Sequence, residues 1–275
     1  MSRLLRANRI EPIRFTDPSL FGLRCDADGG QGAFSLHVAG EAGTAKLDQS
    51  KTFGVGYSLV LKHVEHTPKF DGSFLPWAAL PPSGAAETRG QIISGTENWR
   101  GPDDLSARVW LAWHEDRELY FAIDVTDDKL VTNHRDDDPA RSDSVELFVD
   151  VRSSWKQYMK SYSPGAFKLV FVPGDGKAEA SFRYRGTPYG SVRRLRSEKT
   201  AKGYRLEVDI HFFAAEVEDP GWTAGRPVRI GVLVHDSDDP SGGPKSTLGL
   251  WRTAAEDSTS LTTFVTEKRP DNGAK

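Results

Sequence analysis

Carboxylates gather at the ends of two consecutive apolar segments of this sequence. Asp127 and Asp128 directly follow the segment 119–126, and Asp143 opens the next apolar segment. If the two segments form neighbouring strands, the three side chains meet at one end of a sheet. Converging carboxylate oxygens suit Ca²⁺, which takes about six to eight oxygen ligands. The pattern therefore predicts a calcium site formed by Asp127, Asp128 and Asp143. The alternative is a solvated acidic loop whose charges are paired with arginines.

A second set of residues has the chemistry for holding a sugar. A sugar presents C–H groups to the face of an aromatic ring and hydroxyl groups to carboxylates. Alternation along the predicted strands places several aromatic and polar side chains on one sheet face: Trp110, His114, Tyr120, Asp124, Glu146, Phe148 and Asp150. We interpret this face as a ligand platform. The alternative is a face covered by other parts of the protein, with its carboxylates satisfied internally.

Other candidate chemistry is less well supported. The acidic pair at 103–104 is a second metal candidate, and the stretch 236–243 resembles an EF-hand loop but has Thr247 where that motif requires Glu. The sequence contains no G-x-S-x-G, H-E-x-x-H, G-x-x-x-x-G-K-[ST] or G-x-G-x-x-G motif. Glu146 and Asp124 could form a glycosidase pair, but a non-catalytic protein is the favoured prediction.

The elements that must position these residues are short β-strands. Apolar segments are brief, rich in Val, Ile, Phe, Tyr and Trp, and bounded by Gly, Asp, Pro or Ser. This pattern predicts an all-β, antiparallel β-sandwich with a jelly-roll-like arrangement. A turn at 116–118 would make three apolar pairs that face the core: Val109 with Val125, Leu111 with Ile123, and Trp113 with Phe121. The next strand adds four residues to that core: Val145, Leu147, Val149 and Val151.

A small β-rich, immunoglobulin-like segment is predicted in front of the sandwich. Its expected strands are Ile10–Phe15, Phe21–Cys25, Gly32–Val38 and Val55–Val64. Thr67-Pro68 then interrupts strand pairing, because proline has no N–H to donate. The predicted organisation is therefore a segment 1–66, a domain 67–268 and a tail 269–275.

Charge and cysteine content exclude several kinds of partner and site. Lys and Arg total 36 against 39 Asp and Glu, and the net charge of −3 gives no reason to expect nucleic acid or an anionic membrane as a partner. Cys25 is the only cysteine, which excludes an intrachain disulfide. No apolar run approaches the roughly 20 residues of a membrane span, and no signal peptide is expected at the N-terminus.

Seven segments follow one another in an order that resembles a known family. They are PKFDGSFLPW (68–77), WRGPDDLSARVWLAWHEDRELYFAIDVTDD (99–128), SDSVELFVD (142–150), GAFKLVFVPGDG (165–176), GYRLEVDIHF (203–212), RIGVLVHDSDD (229–239) and LGLW (248–251). The ordered set resembles the family 9 carbohydrate-binding modules over roughly residues 68–266. The resemblance implies a β-sandwich with bound calcium that binds sugar without catalysis. It also implies an extracellular or periplasmic accessory module, attached to a secreted glycoside hydrolase or a similar enzyme.

The resemblance also implies roles for particular residues. Glu146, in the DSVE motif, would hydrogen-bond sugar hydroxyls. Of two tryptophans that hold a terminal sugar in the family, one matches Trp251, whereas the other falls where this chain has 139–141, Pro-Ala-Arg. The candidate ligand-binding residues are therefore Glu146, Trp251, Trp110, Tyr120, Asp124 and Phe148.

Two other functions stay open. Relatives of this sandwich carry a haem in an electron-transfer domain, for which Met159 with His114 or His235 would supply the ligands. The other alternative is a structural or protein-interaction sandwich that has no ligand. The missing tryptophan near Ala140 favours this second alternative.

Overall fold

The computed structural model describes residues 32–267 except 43–44, 56–58, 71–73, 75–76, 78–79, 115–117, 134–137, 153–161, 163–164, 175–178, 186–189, 214–224 and 252–260. The chain divides into two units, residues 1–57 and 58–275. The predicted strands Ile10–Phe15 and Phe21–Cys25 lie outside the described residues. Among the residues that are described, no helix is long and apolar enough to cross a membrane.

The described part of the first unit is a β-hairpin. Strand β1 (Gly32–Ala42) pairs antiparallel with β2 (Ala45–Val55), from Gly32 opposite Val55 to Ala42 opposite Ala45. Apolar alternation predicts β1 from its first residue. It does not predict most of β2, because residues 46–52 are mainly polar or charged.

The thirteen described strands of the second unit form one mixed sheet that folds into two layers. The first layer contains β5 (Ile92–Ser94), β8 (Ser144–Asp150), β9 (Ala166–Val172), β10 (Ser181–Arg185), β13 (Pro227–Asp236), β14 (Ser246–Leu250) and β15 (Thr262–Thr266). The second contains β3 (Leu59–His63), β4 (Gly84–Ala86), β6 (Leu105–His114), β7 (Glu118–Asp127), β11 (Gly190–Thr200) and β12 (Gly203–Phe212). The layers are joined where β3 runs parallel to β15 and to β6. The all-β prediction is confirmed, although these parallel pairs make the sheet mixed.

The inner faces of the two layers share one apolar core. The residues predicted to face inward from β6, β7 and β8 are all buried in it, which confirms that assignment: Val109, Leu111, Trp113, Phe121, Ile123, Val125, Val145, Leu147, Val149 and Val151. Phe121 of the second layer stacks on Phe171 of the first, with ring centroids 6.3 Å apart. Since side chains alternate along a strand, the two outer faces point away from each other.

The register of β6 with β7 differs from the predicted one by two residues. Leu111 lies opposite Phe121 rather than Ile123, and pairing extends to His114 opposite Glu118. Glu118 is therefore part of a strand and not of the turn. A shift of two residues leaves every side chain on its own face. For this reason the predicted core is correct although the predicted partners are wrong.

The structure also revises two strand assignments. β3 falls in the predicted N-terminal segment but pairs with β6 and β15, so the division between units precedes Leu59 instead of lying at Thr67-Pro68. β11 is not predicted from the sequence, because the residues GSVRRLRSEKT do not show apolar alternation. β11 ends the described sheet order, and charged side chains are common on such edges because they discourage pairing with other chains.

Phe70, Phe74 and Trp77 cover part of the outer face of the second layer. They form a small apolar cluster with Trp110, Tyr120 and two alanines of β6 and β7. Trp77 Nε1 also donates a hydrogen bond of 3.0 Å to the buried Oε1 of a glutamate on β12. This side of the sandwich is therefore partly sealed by residues of the segment between β3 and β4.

Asp209 of β12 is buried on the same covered face with weak compensation for its charge. Neither carboxylate oxygen accepts a hydrogen bond in the described part of the chain, and its ion pair is with Arg194, whose Nε is 3.4 Å from Oδ2. Burial, followed by the charge of Glu118, raises the pKa of Asp209 from 3.8 to about 6. Because the pKa is higher in the folded state, ionisation of Asp209 opposes folding above about pH 6. This cost disappears as the pH falls towards about 4.

Asp209→Asn is expected to stabilise the protein by about 1–2 kcal/mol at neutral pH, because the amide removes a poorly compensated buried charge. The gain should shrink through about pH 6 and vanish near pH 4, where wild-type Asp209 is protonated. Urea denaturation at several pH values measures this difference. Asp103→Asn, at a side chain that is 94% exposed, is the control and should show no such trend. An equal gain for Asp209→Asn at all pH values would contradict this assignment.

Candidate functional site

Three carboxylates from three strands converge at one edge of the sandwich. Asp127 ends β7, Asp143 immediately precedes β8, and Asp236 ends β13. β8 and β13 pair antiparallel with Ser144 opposite His235, which places Asp143 and Asp236 side by side. One carboxylate oxygen from each aspartate lies within 4.8 Å of the other two, and all three residues are buried. We call Asp127, Asp143 and Asp236 the aspartate triad.

Backbone groups orient two members of the triad. Asp143 accepts hydrogen bonds from the N–H of Val131 and, at 2.7 Å, from the N–H of Ser237. Asp127 Oδ1 accepts from the N–H of Lys129 at 2.7 Å. The N–H donors lie in the loops that follow β7 and β13, and they hold the two carboxylates in place.

Part of the triad remains without hydrogen bonds. Asp236 Oδ2 accepts from Ser246 Oγ at 2.9 Å. In the part of the chain that the structure describes, Asp127 Oδ2 and Asp236 Oδ1 are buried without a hydrogen-bond partner, and so is the hydroxyl of Tyr204. Buried oxygens of this kind are costly unless another group binds them.

The electrostatics of the triad oppose its full ionisation. Burial, followed by the charge of Asp127, raises the pKa of Asp143 to about 9. Burial is also the largest cause that raises the pKa of Asp127 to about 6 and the pKa of Asp236 above its usual value. Three buried carboxylates this close can all be ionised only if a positive charge joins them. The oxygen donor set therefore fits a hard divalent cation such as Ca²⁺.

Asp128, predicted to join this site, lies instead in a second acidic cluster. Its partners there are Asp104 and Asp238, and one oxygen from each of the three lies within 4.8 Å of the others. Consecutive residues of an extended chain project in opposite directions, so Asp127 and Asp128 do not enter the same buried site. Of the acidic pair at 103–104, only Asp104 belongs to this second cluster.

Sequence patterns do not predict Asp236 as a ligand, because the stretch 236–243 resembles an EF-hand loop but has Thr247 where that motif requires Glu. A usable signal is present, because Asp236 ends an apolar strand just as Asp127 does. What the sequence lacks is the pairing of β8 with β13, which brings Asp236 next to Asp143.

The predicted ligand platform is divided between the two outer faces of the sandwich. Glu146 and Phe148 are on β8 in the first layer, whereas Trp110, Tyr120 and Asp124 are on β6 and β7 in the second. The prediction of one shared face is wrong, because β13, β15 and β3 lie between β8 and β6 in the sheet order. The inner faces of both layers meet in the core, so these two groups lie on opposite sides of the sandwich.

Trp110 and Tyr120 are enclosed by other parts of the protein. Trp110 is 7% exposed; its Nε1 donates to the carbonyl oxygen of Leu80 at 2.9 Å, and its ring meets that of Phe74 edge to face at 5.2 Å. Tyr120 is fully buried, and its hydroxyl contacts a carboxylate oxygen of Glu118. Neither ring offers a face to a sugar.

Asp124, also predicted for the platform, has a side chain that is 33% exposed. It pairs with Arg205, whose Nε lies 3.2 Å from Oδ1, at the side of a cleft lined by residues 198–202. The carboxylate thus has an internal cation as its partner, as the alternative to the platform expects.

Phe148 is also unavailable for stacking. It is fully buried in a cluster with Leu233 and Leu261, against which Tyr162 packs. Lys168 Nζ lies 5.2 Å from the centroid of the Phe148 ring. The outer face of the first layer is therefore not an open aromatic platform at this position.

Glu146 and His235 form a buried polar pair on that face. Glu146 is 6% exposed, and its Oε1 lies 3.7 Å from His235 Nε2, which is longer than a hydrogen bond. His235 Nδ1 lies 3.2 Å from Thr247 Oγ1, which holds the imidazole ring in place. Nε2 has no hydrogen-bond partner in the described part of the chain, so in either tautomer it can make one more hydrogen bond. We call Glu146 and His235 the polar pair.

Apolar groups lie beside the polar pair. Leu233 is opposite Glu146 on β13, and Gly249 of β14 is opposite Leu233. Ile93 comes close to Gly249, where an added Cβ would be 3.0 Å from its Cγ2, and the Ile93 side chain is 52% exposed. Ile93 therefore presents accessible apolar surface on the face that carries the polar pair, and its Cγ2 fills the position that a side chain at residue 249 would take.

Trp251, predicted to hold a sugar, packs against the core. β14 ends at Leu250, and Trp251 has a φ of 61°, so it does not continue the alternation of the strand. Its ring meets Phe264 edge to face at 5.0 Å and lies over Gly84, where a Cβ would be 2.7 Å from the ring. Trp251 is therefore on the inner side of the first layer, whereas Glu146 is on its outer side.

The two histidines considered for haem lie in different layers of the sandwich. His235 belongs to the first layer, whereas His114 belongs to the second and stacks on His63 with ring centroids 6.2 Å apart. Met159 lies outside the described residues. The described contacts thus favour polar roles for both histidines.

Comparison with known proteins bears on this geometry. Two solved structures of family 9 carbohydrate-binding modules from Caldicellulosiruptor kristjanssonii are similar to this chain. The one in complex with glucose has a TM-score of 0.59 at 16% identity and covers 80% of this chain and 100% of that one. The one in complex with cellotriose has a TM-score of 0.57 at 16% identity and covers 78% and 97%. At this identity the likeness shows the fold.

No curated protein matches the sequence. The model of the family described as carbohydrate family 9 binding domain-like matches residues 84–260, which span both layers, the aspartate triad and the polar pair. The match covers more than half of the chain. This chain therefore belongs to the carbohydrate family 9 binding domain-like family.

Proposed function

We propose that the domain binds a glucose-based carbohydrate, without catalysis, at the polar pair on the outer face of the first layer. The observation that carries this proposal is the gap of 3.7 Å between Glu146 Oε1 and His235 Nε2. A sugar hydroxyl placed beside the pair, about 2.8 Å from each of the two atoms, can donate to the carboxylate and pair with the imidazole. The family match supports carbohydrate as the ligand class, and glucose and cellotriose are the ligands held by the similar structures.

The surroundings of the polar pair support the same proposal. Sugar sites combine a few precisely placed polar groups with apolar surface that contacts C–H groups. Ile93, which is 52% exposed, supplies apolar surface on the side of the layer that carries Glu146, beyond Leu233 and Gly249. Because Glu146 is only 6% exposed, we expect the site to accept the edge of a sugar instead of stacking its face on an aromatic ring.

We further propose that the chain serves as an accessory module. In that role it would hold a fused or associated glycoside hydrolase near a polysaccharide, outside the cell or in the periplasm. Membership of a family of binding domains supports the holding role. The proposal requires only weak, repeated contacts with polymer, since attachment to an enzyme raises the effective concentration of each.

We propose Ca²⁺ as the ion of the aspartate triad, held by Asp127, Asp143 and Asp236. Two unsatisfied carboxylate oxygens in a buried group of three acids support this assignment. The ion would neutralise repulsion among the ends of β7, β8 and β13. Its role would be structural, because binding to the folded state alone stabilises that state.

Glu146→Ala is expected to weaken binding of glucose and cellotriose by about 10- to 100-fold, the usual cost of losing a charged hydrogen bond. His235→Ala should weaken it in the same direction. Isothermal titration calorimetry with calcium present measures both. Asp124→Ala, which removes a carboxylate from the opposite outer face, is the matched control and should bind like the wild type. Absence of binding by the wild type, or equal binding by a folded Glu146→Ala variant, would contradict the proposal.

Calcium is expected to raise the melting temperature of the wild type by about 5–10 °C over protein in chelator, since saturating an ion site stabilises by about 2–4 kcal/mol. Asp143→Asn should abolish this response. The variant should also melt at or above the wild type in chelator, because it removes one acid from an uncompensated group. Differential scanning calorimetry measures both effects, with Asp103→Asn as the control. A wild type that melts identically with calcium and with chelator would exclude the site.

A further inference from the structure

Lys245 points its ammonium group into the region between the triad and the second acidic cluster. Its Nζ lies 2.6 Å from Asp104 Oδ1, 2.8 Å from Asp238 Oδ2 and 3.4 Å from Asp236 Oδ2. The side chain is only 15% exposed. It therefore contacts two members of the second cluster and one member of the triad at the same time.

The backbone of Lys245 is fixed on both sides. Its N–H donates to the carbonyl oxygen of Asp236 at 2.6 Å, and its carbonyl oxygen accepts from Asn98 Nδ2 at 3.0 Å. Gly95 packs so closely that a Cβ there would be 2.0 Å from the same carbonyl oxygen. Lys245 is thus a positioned cation and not a mobile surface lysine.

Arg100 completes the neutralisation of the second cluster. Its Nη2 lies 3.1 Å from Asp104, 3.2 Å from Asp128 and 3.3 Å from Asp238. Three carboxylates therefore face two positive groups supplied by the chain. The triad has the same spacing of oxygens, but its one described ion pair is the longer contact from Lys245 to Asp236.

The difference between the two clusters suggests how many ions this edge accepts. Three carboxylate oxygens within 4.8 Å of one another are the start of a divalent-cation site in both places. In the second cluster, Lys245 and Arg100 already supply two positive charges to these carboxylates, and Lys245 Nζ lies 2.6 Å from Asp104 and 2.8 Å from Asp238. The ammonium would repel a divalent ion bound at those oxygens over a distance of a few ångströms.

We propose that Lys245 is a tethered cation that takes the place of a second divalent ion and restricts this edge of the sandwich to one ion, at the triad. The proposal rests on the calcium site proposed above. Through Asp236, Lys245 also links the charge of the second cluster to that of the triad.

Calcium titration of chelator-treated protein tests the proposal. The wild type should bind one equivalent, and Lys245→Gln should bind two, because removal of the buried ammonium leaves Asp104 and Asp238 to an ion while the 62% exposed side chain of Arg100 turns towards solvent. Isothermal titration calorimetry gives the stoichiometry, and metal analysis after gel filtration checks it. Lys202→Gln makes the same charge change at a 77% exposed side chain paired with Asp103, and should still bind one equivalent.

Thermal stability gives an independent measurement. In chelator, Lys245→Gln should melt below the wild type, since Asp104 and Asp238 lose their closest cation. Calcium should restore more stability to the variant than to the wild type. The double variant Asp104→Asn/Lys245→Gln removes one acid together with the lysine, so it should melt above Lys245→Gln in chelator and bind one ion. If Lys245→Gln alone fails to fold, a double variant that does fold shows the same gain in stability.

Each outcome has a distinct meaning. One equivalent bound by both the wild type and Lys245→Gln would overturn the role of Lys245 and leave the triad site intact. Two equivalents bound by the wild type would do the same. No ion bound by either protein would refute the calcium site itself, and the role of Lys245 with it. A double variant less stable than Lys245→Gln in chelator would also overturn the proposal.

Discussion

The apolar core shared by the two layers determines where every other side chain of the domain can act. Val109, Leu111 and their neighbours on β6 face Val145 and Leu147 of β8 across one interior. Because the strand repeat is two residues, each inward assignment forces the residues between to the outside. The polar residues of β7 and β8 are thereby sent to opposite surfaces of the sandwich. A site on either surface must be built from one layer only.

Packing on the outer faces then decides which polar residues remain available for binding. On the second layer, Phe74 and Trp77 cover Trp110, and Asp124 has Arg205 as its partner. On the first layer, Phe148 is buried, whereas His235 Nε2 has no hydrogen-bond partner in the described part of the chain and lies 3.7 Å from Glu146 Oε1. Large aromatic residues are most often structural when they are fully buried. The polar pair is consequently a better candidate for ligand contact than the aromatic residues predicted from the sequence.

Local patterns predict much of this structure, and failures arise where long-range pairing decides. Alternation identifies the core residues of β6, β7 and β8 correctly even though the predicted register is two residues away from the observed one. It cannot show that β13 pairs with β8, which is the contact that adds Asp236 to the site. The placement of Trp251 fails for a different reason. The backbone of Trp251 adopts the left-handed conformation, which ends the alternation. No simple sequence pattern predicts that conformation for a tryptophan.

The triad and the polar pair are physically connected through two strands. Asp143 directly precedes β8, which carries Glu146 three residues later, and Asp236 directly follows His235 on β13. An ion held by both aspartates would fix the ends of β8 and β13 against each other. The separation of Glu146 from His235, on which a bridging hydroxyl depends, is set by the pairing of those same strands. Neutralising charge at this edge would therefore preserve the geometry of the polar pair, although the ion itself would make no contact with the proposed sugar.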